Sequence, residues 1–304
     1  MFKYAPIDSF TLRNLQNSQI YFNNPLNFND PFDTSHPVEV NEISNKIFVQ
    51  MYCKYSNLNF SEKHLNEILN KTISKNDFYD FCFEHLDYIL NLENSSEVFS
   101  FKSKDEILGD LRNLEETHFS LLEIIYQIFV GIKFKWHPQI QKSIKLIREE
   151  NLSKLGVCCF SKNNRNLLMW AHYADSHKGI CLEFDSKVEP FSKAKNVNYQ
   201  SKIQNIDLDL YFENSKKYNL LKKLLLIKSV DWKYEKEMRI FSKDSNISYN
   251  YNPGLLKAIY FGLKANRSDI EIICSIVKYK NNDVKFYQMK KLEKTFGIEP
   301  IQLD

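Results

Sequence analysis

Apolar and polar positions alternate in two different ways along the chain. Between about residues 38 and 150 the apolar positions recur at helical spacing. They run through Ile43, Ile47 and Met51, then Leu65, Ile68 and Leu69, then Phe78, Phe81, Cys82 and Leu86. Phe119, Leu122, Ile125, Ile128 and Phe129 continue the pattern, followed by Ile140, Ile144 and Ile147. This spacing predicts about four to six helices and little strand. Outside that segment the pattern is mixed. Phe2–Tyr4 and Ile20–Phe22 read as short strands on either side of a helix that Asp8 or Ser9 can cap and that runs through Leu15. After Glu150, strands are expected at 156–161, 179–184, 197–199, 237–241, 258–262, 284–289 and 298–301. Helices are expected at 167–174, at 210–228 and from a cap near Ser268 to about Tyr279. The simplest assembly is an α+β domain made from residues 1–37 and 151–304, with 38–150 inserted as a helical segment.

Composition narrows the function classes. The chain has 304 residues, 43% hydrophobic and 14% aromatic, enough for an ordinary core. Its formal charge of +3 does not by itself mark a nucleic-acid binder. No apolar run is long enough to span a bilayer, and no secretory signal is expected at the N-terminus. Only seven glycines are present, and neither GxGxxG nor GxxxxGK[ST] occurs. Six cysteines without a CxxC pair read as reduced thiols of a cytoplasmic protein.

Three stretches carry candidate chemistry. The first, residues 156–184, packs strand, polar loop, short helix and strand into under thirty residues. It brings Ser161 near His172 and Tyr173, although each aromatic there also reads as ordinary core. The second is Trp232-Lys233-Tyr234-Glu235-Lys236-Glu237-Met238-Arg239. On a strand, Glu235, Glu237 and Arg239 share one face. Such a face is either an exposed charged edge or, if internal, a costly arrangement that calls for a functional reason. Carboxylates two residues apart can stabilise a developing cation. The third joins Lys3 and Tyr4 to the turn Asn27–Asp33, where Asn29 sits beside aromatic residues and where a plain turn is the competing reading. His172 and His177 are five apart rather than the four that share a helical face, so no metal site is expected. A Cys158 or Cys159 nucleophile paired with His172 has no local mark of an activated thiol.

Taken together, Lys3-Tyr4, the Phe28–Phe32 turn, Cys159–Gly179 and Trp232–Arg239 resemble a bacterial family of unknown function. More distantly, the order of elements resembles the ADP-ribosyltransferase fold, a split α+β sandwich. That resemblance implies NAD as substrate, without any glycine-rich loop. Lys3 or Tyr4 stands where those enzymes carry His or Arg on the first strand. Phe160-Ser161 followed by Tyr173 matches the middle element, with Tyr173 stacking on nicotinamide. Glu235-x-Glu237 matches the late catalytic strand. By the same resemblance Glu237 stabilises the oxocarbenium-like sugar, Glu235 orients or deprotonates the acceptor, and Ser161 supports Glu237. On that resemblance Lys3, Tyr4, Asn29, Ser161 and His172 are expected to form the NAD-binding wall.

The expectation is therefore an NAD-dependent ADP-ribosyltransferase-like bacterial toxin, effector or defence component acting on a protein or nucleic-acid acceptor, with no membrane partner. Two rivals stay open. One is a non-enzymatic nucleic-acid- or protein-binding module on the same scaffold, suggested by a lysine-rich helix over Lys216–Lys228. The other is a hydrolase using His172 with Glu235 and Glu237.

Overall fold

The computed structural model describes residues 1–35, 44–55, 60–91, 102–205 and 217–303. The chain opens with β1 (Phe2–Ala5), α1 (Ser9–Asn17) and β2 (Gln19–Phe22). The Asp8 carboxylate accepts from the Thr11 amide at 2.7 Å and caps α1. Asn23 and Asn24 then break β2 before Pro25 starts a 3-10 turn, as a donor-less proline at a turn start allows. Helices α2 (Asn45–Tyr55), α3 (Glu62–Leu69), α4 (Lys75–Leu90), α5 (Lys104–Arg112) and α6 (Leu114–Lys154) follow. Ser61, Ser74 and Ser103 cap α3, α4 and α5, and Glu106 completes a capping box with Ser103.

The mixed part continues with β3 (Gly156–Ser161), α7 (Leu167–Tyr173), β4 (Ile180–Phe184), β5 (Lys195–Asn196) and β6 (Asn198–Gln200). Next come α8 (Lys217–Leu224), β7 (Ile227–Ser229), β8 (Glu237–Ser242), β9 (Ile247–Asn250) and β10 (Leu256–Phe261). The chain closes with α9 (Arg267–Lys280), β11 (Lys285–Lys291) and β12 (Ile298–Gln302). Two compact units result. One comprises Met1–Pro37, Arg148–Asn205 and Tyr218–Asp304, and the other Val38–Ile147 with Ile206–Lys217. In the second unit, Phe48, Tyr52, Phe78, Phe81 and Phe129 are fully or almost fully buried. No helix among the described residues is long and apolar enough to cross a membrane.

The first unit is α+β. Eight strands form one mixed sheet in the order β12-β11-β10-β4-β1-β3-β8-β5, beside the two-stranded ribbons β2-β9 and β6-β7. The strands therefore do not make two opposed sheets of similar size. Instead the large sheet is nearly parted at one seam. β1 pairs with β4 at four positions but with β3 only at Phe2↔Ser161. On the far side of that seam β3 pairs with β8 over six positions, from Gly156↔Ser242 to Ser161↔Glu237. In this antiparallel register Lys3, Tyr4 and Ala5 run alongside Phe160, Cys159 and Cys158 without pairing to them, so β1 and β3 splay apart beyond Phe2.

Alternation along the central strands fills both faces. One core joins Leu15 of α1 and Ile273 and Val277 of α9 to Leu182, Ile259 and Phe261. The other joins Met169 and Trp170 of α7 to Tyr4, Cys181, Tyr260 and Met289. Trp170 is fully buried, and its indole donates to the Asn164 carbonyl at 2.7 Å, which ties α7 to the loop that carries the site.

Two expected elements are corrected. The stretch 210–228 is not one helix. Residues 210–216 lie outside the described ones, α8 ends at Leu224, and Lys228 lies on strand β7. Glu235 is not on the strand of Glu237. Val230–Glu235 form a 3-10 turn, and Lys236 takes a left-handed conformation, φ 47°, before β8 begins. The lysine-rich helix is accordingly shorter than expected, and its last lysine is a buried strand residue.

Candidate functional site

The site is built where the seam opens. Glu237 and Arg239 point to the same side of β8, one repeat apart. Across the ladder they face Ser161 and Cys159 of β3. Neither is on an exposed edge: Glu237 is 6% exposed and Arg239 not at all. Buried charges require partners, and here they are supplied from distant parts of the chain. The Asn29–Asp33 turn is closed by the Asp30 carboxylate, which accepts from the Phe32 amide at 2.9 Å. It delivers Asp33 to Arg239, whose Nη2 reaches both Asp33 oxygens at 3.0 Å. The Arg239 Nε donates to Glu237 Oε1 at 2.7 Å, Nη2 donates to Oε2 at 2.9 Å, and Nη1 donates to the Leu225 carbonyl at 2.5 Å. The guanidinium fork is thus held by two carboxylates and a carbonyl, partners it suits well.

Lys228 adds the second cation. Its Nζ lies 2.7 Å from Glu235 Oε2, 3.3 Å from Glu237 Oε2 and 3.7 Å from Asp33 Oδ2, and 4.9 Å from the centre of the Trp232 ring. The other oxygen of Glu235 accepts from the Tyr173 hydroxyl at 2.7 Å. Asn29, exposed at the mouth, donates to that same hydroxyl at 3.3 Å. The Tyr199 hydroxyl accepts from the Glu237 amide at 2.7 Å and fixes the start of β8.

Two further groups line the seam. The Lys3 ammonium makes a long hydrogen bond, 3.4 Å, to the Cys159 carbonyl and lies 5.6 Å from the centre of the Phe160 ring. The Tyr4 hydroxyl donates to the Asn163 carbonyl at 2.7 Å. A cavity of about 390 Å³ runs between these groups, within the range of small-molecule sites. Lys3, Tyr4, Asn29, Ser161, His172, Tyr173, Glu235 and Glu237 all line it. His172 is exposed at the mouth. Ser161 departs from the expected support of Glu237: its hydroxyl donates to the Glu235 backbone carbonyl at 2.6 Å, so it holds the turn rather than the carboxylate.

The carboxylates are not equivalent. Burial alone would raise Glu237, but Arg239 and then Lys228 overcome it and hold the group at about 2. For Glu235 burial prevails over Lys228 and Tyr173 and raises the carboxyl from its ordinary value. Asp33 is likewise raised by burial despite Arg239 and Lys228. Burial opposes the charge on Lys228, yet Glu237, Asp33 and Glu235 together raise it. Tyr173 is raised by burial and by its bond to Glu235. The thiols of Cys158 and Cys159 are pushed up by burial, which removes the thiolate that nucleophilic catalysis needs. Among the described residues no group of three His, Cys, Asp or Glu side chains is arranged to hold a metal ion.

Asp33 and Lys228 were not legible as site residues. The lysine was masked by its neighbours' helical pattern. The β-branched Ile227 and Val230 flanking Lys228-Ser229 were the available signal for a strand. Residues 169–240 match the model of a family described as a protein of unknown function, DUF2971. The match takes in Tyr173, Lys228, Glu235, Glu237 and Arg239, and leaves Lys3, Asn29 and Asp33 outside. No curated protein and no solved structure matches the chain.

Proposed function

We propose that this cavity binds NAD and transfers its ADP-ribose to a macromolecular acceptor, in the manner of an ADP-ribosyltransferase. The observation that carries the reading is the convergence of an ionised buried glutamate, a second glutamate of higher pKa and a tyrosine on one cleft at a parted sheet seam. Breaking the nicotinamide–ribose bond sends its electron pair to the departing nicotinamide and leaves positive charge on the sugar. A preorganised carboxylate stabilises that charge without reorganising. Glu237, already ionised, is suited to this role and to accepting a ribose hydroxyl. The acceptor then donates an electron pair to the anomeric carbon and loses its proton to Glu235, whose raised value suits a proton acceptor. Tyr173 supplies an aromatic plate whose orientation is set by its bond to Glu235, and nicotinamide stacks against it. Lys3, whose ammonium lines the cavity 3.4 Å from the Cys159 carbonyl, can meet a ribose or phosphate oxygen.

On this reading the protein is a bacterial toxin, effector or defence component, and the inserted helical unit recognises the target or regulates access. The test is incubation with NAD labelled in the ADP-ribose half and with candidate protein and nucleic-acid acceptors. Label transfer by the native protein, lost in Glu237→Gln and in Tyr173→Ala, is expected. Absence of both transfer and nicotinamide release removes the reading. Salt-dependent nucleic-acid binding without NAD turnover would put a binding module in its place.

A further inference from the structure

Lys228 holds two carboxylates that the proposed chemistry uses in different roles. We propose that Lys228 is a positioning residue: it fixes Glu235 against Tyr173 and occupies, at Glu237, the place that a substrate ribose hydroxyl takes on binding. This inference rests on the NAD reading of the same cavity.

The distances divide the labour. Arg239 grips Glu237 through two short contacts and is itself anchored by Asp33 and the Leu225 carbonyl. It cannot leave Glu237 without orphaning several groups at once. Lys228 meets Glu237 at 3.3 Å and Glu235 at 2.7 Å, so its Glu237 contact is the longer and more replaceable one. Without Lys228, two buried glutamates on adjacent segments would face each other with no cation between them. One of them would take up a proton. With it, Glu237 stays ionised, and Glu235 keeps a defined place between ammonium and phenol. When a ribose hydroxyl donates to Glu237, Lys228 remains bound to Glu235, so positive charge moves away from the atom where the sugar becomes cationic. Repulsion between ammonium and sugar is reduced at the moment it would matter most.

The titratable groups facing Glu235 are Tyr173 from α7, Lys228 from β7, Glu237 from β8, Tyr199 from β6 and Tyr234 from its own 3-10 turn. Lys228 in turn faces Asp33, Glu235, Glu237 and the Trp232 ring. Removing the ammonium therefore leaves Glu235 with one neutral donor and one like charge. Its titration must move upward.

The experiment compares native protein with Lys228→Met, Lys228→Arg and the charge-conserving pair Lys228→Met/Glu235→Gln. NAD turnover against pH is measured, together with the Glu235 carboxyl titration by carbon-13 NMR. For Lys228→Met the expected result is a fall of tenfold or more in kcat. KM should stay within about threefold, with the acidic limb of the profile moved up by about one pH unit. Lys228→Arg restores the limb. Should Lys228→Met fail to fold, the double variant recovers the fold but not the rate. An unchanged profile in Lys228→Met, or full activity in the double variant, overturns the inference. Should the native protein turn over no NAD, the catalytic reading fails separately. The positioning claim then stands on Glu235, and an unmoved carboxyl titration in Lys228→Met sinks it.

Discussion

Replacing Arg239 by Met tests how the buried cluster is held. The side chain is fully buried and makes five hydrogen bonds to Glu237, Asp33 and Leu225. Methionine fills much of the volume but leaves Asp33 and Glu237 facing Lys228 alone. Breaking a buried pair from one side costs about 3–5 kcal/mol, because the desolvation of the remaining charge is no longer offset. The cluster lies in the first unit, of about 180 residues. For a unit of that size about 1 kcal/mol corresponds to roughly 2–4 °C in Tm. The expected fall is therefore about 6–20 °C, read by scanning calorimetry at neutral pH. Asp33→Asn/Arg239→Met removes one orphaned charge and should recover part of the loss. A single variant melting within about 3 °C of the native protein would mean that the carboxylates are already solvated, and the argument from buried charge would fail.

Other outcomes follow from the same geometry. Glu237 titrates at about 2 instead of 4.5, so its pairing contributes fully above pH 4.5 and is lost as pH falls towards 2. Asp33 and Glu235, raised by burial, act in the opposite sense: their contribution is present on the acid side and is lost as pH rises through their folded values. Between pH 5 and 2.5 the native protein should lose more Tm than Glu237→Gln does, and equal slopes would contradict the Glu237 assignment. Gly179→Ala would set a Cβ 2.3 Å from the Ala5 carbonyl at the β1–β4 junction, so the variant should melt lower or fail to accumulate. A native-like melt there would show that β1 can give way.

Much of the scaffold was legible because local rules and tertiary context agree. Asp8 caps α1, Asn23-Asn24-Pro25 ends β2, and Gly156–Ser161 and Ile180–Phe184 are strands as their apolar runs suggest. The candidate site was legible as three stretches but not as a mechanism of holding them. Its eight candidate residues meet in one cavity. What joins them, Asp33 to Arg239 across 206 positions of sequence and Lys228 to Glu235 and Glu237, is long-range ion pairing that no period of 2 or 3.6 encodes. The alternation from Glu235 to Arg239 also misled in one respect. It extended the strand back through a left-handed Lys236, whose φ no hydrophobic pattern reveals. The single-pair seam between β1 and β3 was equally invisible, since strand patterns report faces and not partners.

The central claim is that the seam cavity holds NAD with Tyr173 against the nicotinamide. Titration calorimetry of NAD into the native protein and into Tyr173→Ala tests it most directly. Saturable one-to-one binding in roughly the 1 μM–1 mM range, weakened at least tenfold in the variant, is the predicted result. No heat of binding, or equal affinity for both proteins, would contradict it.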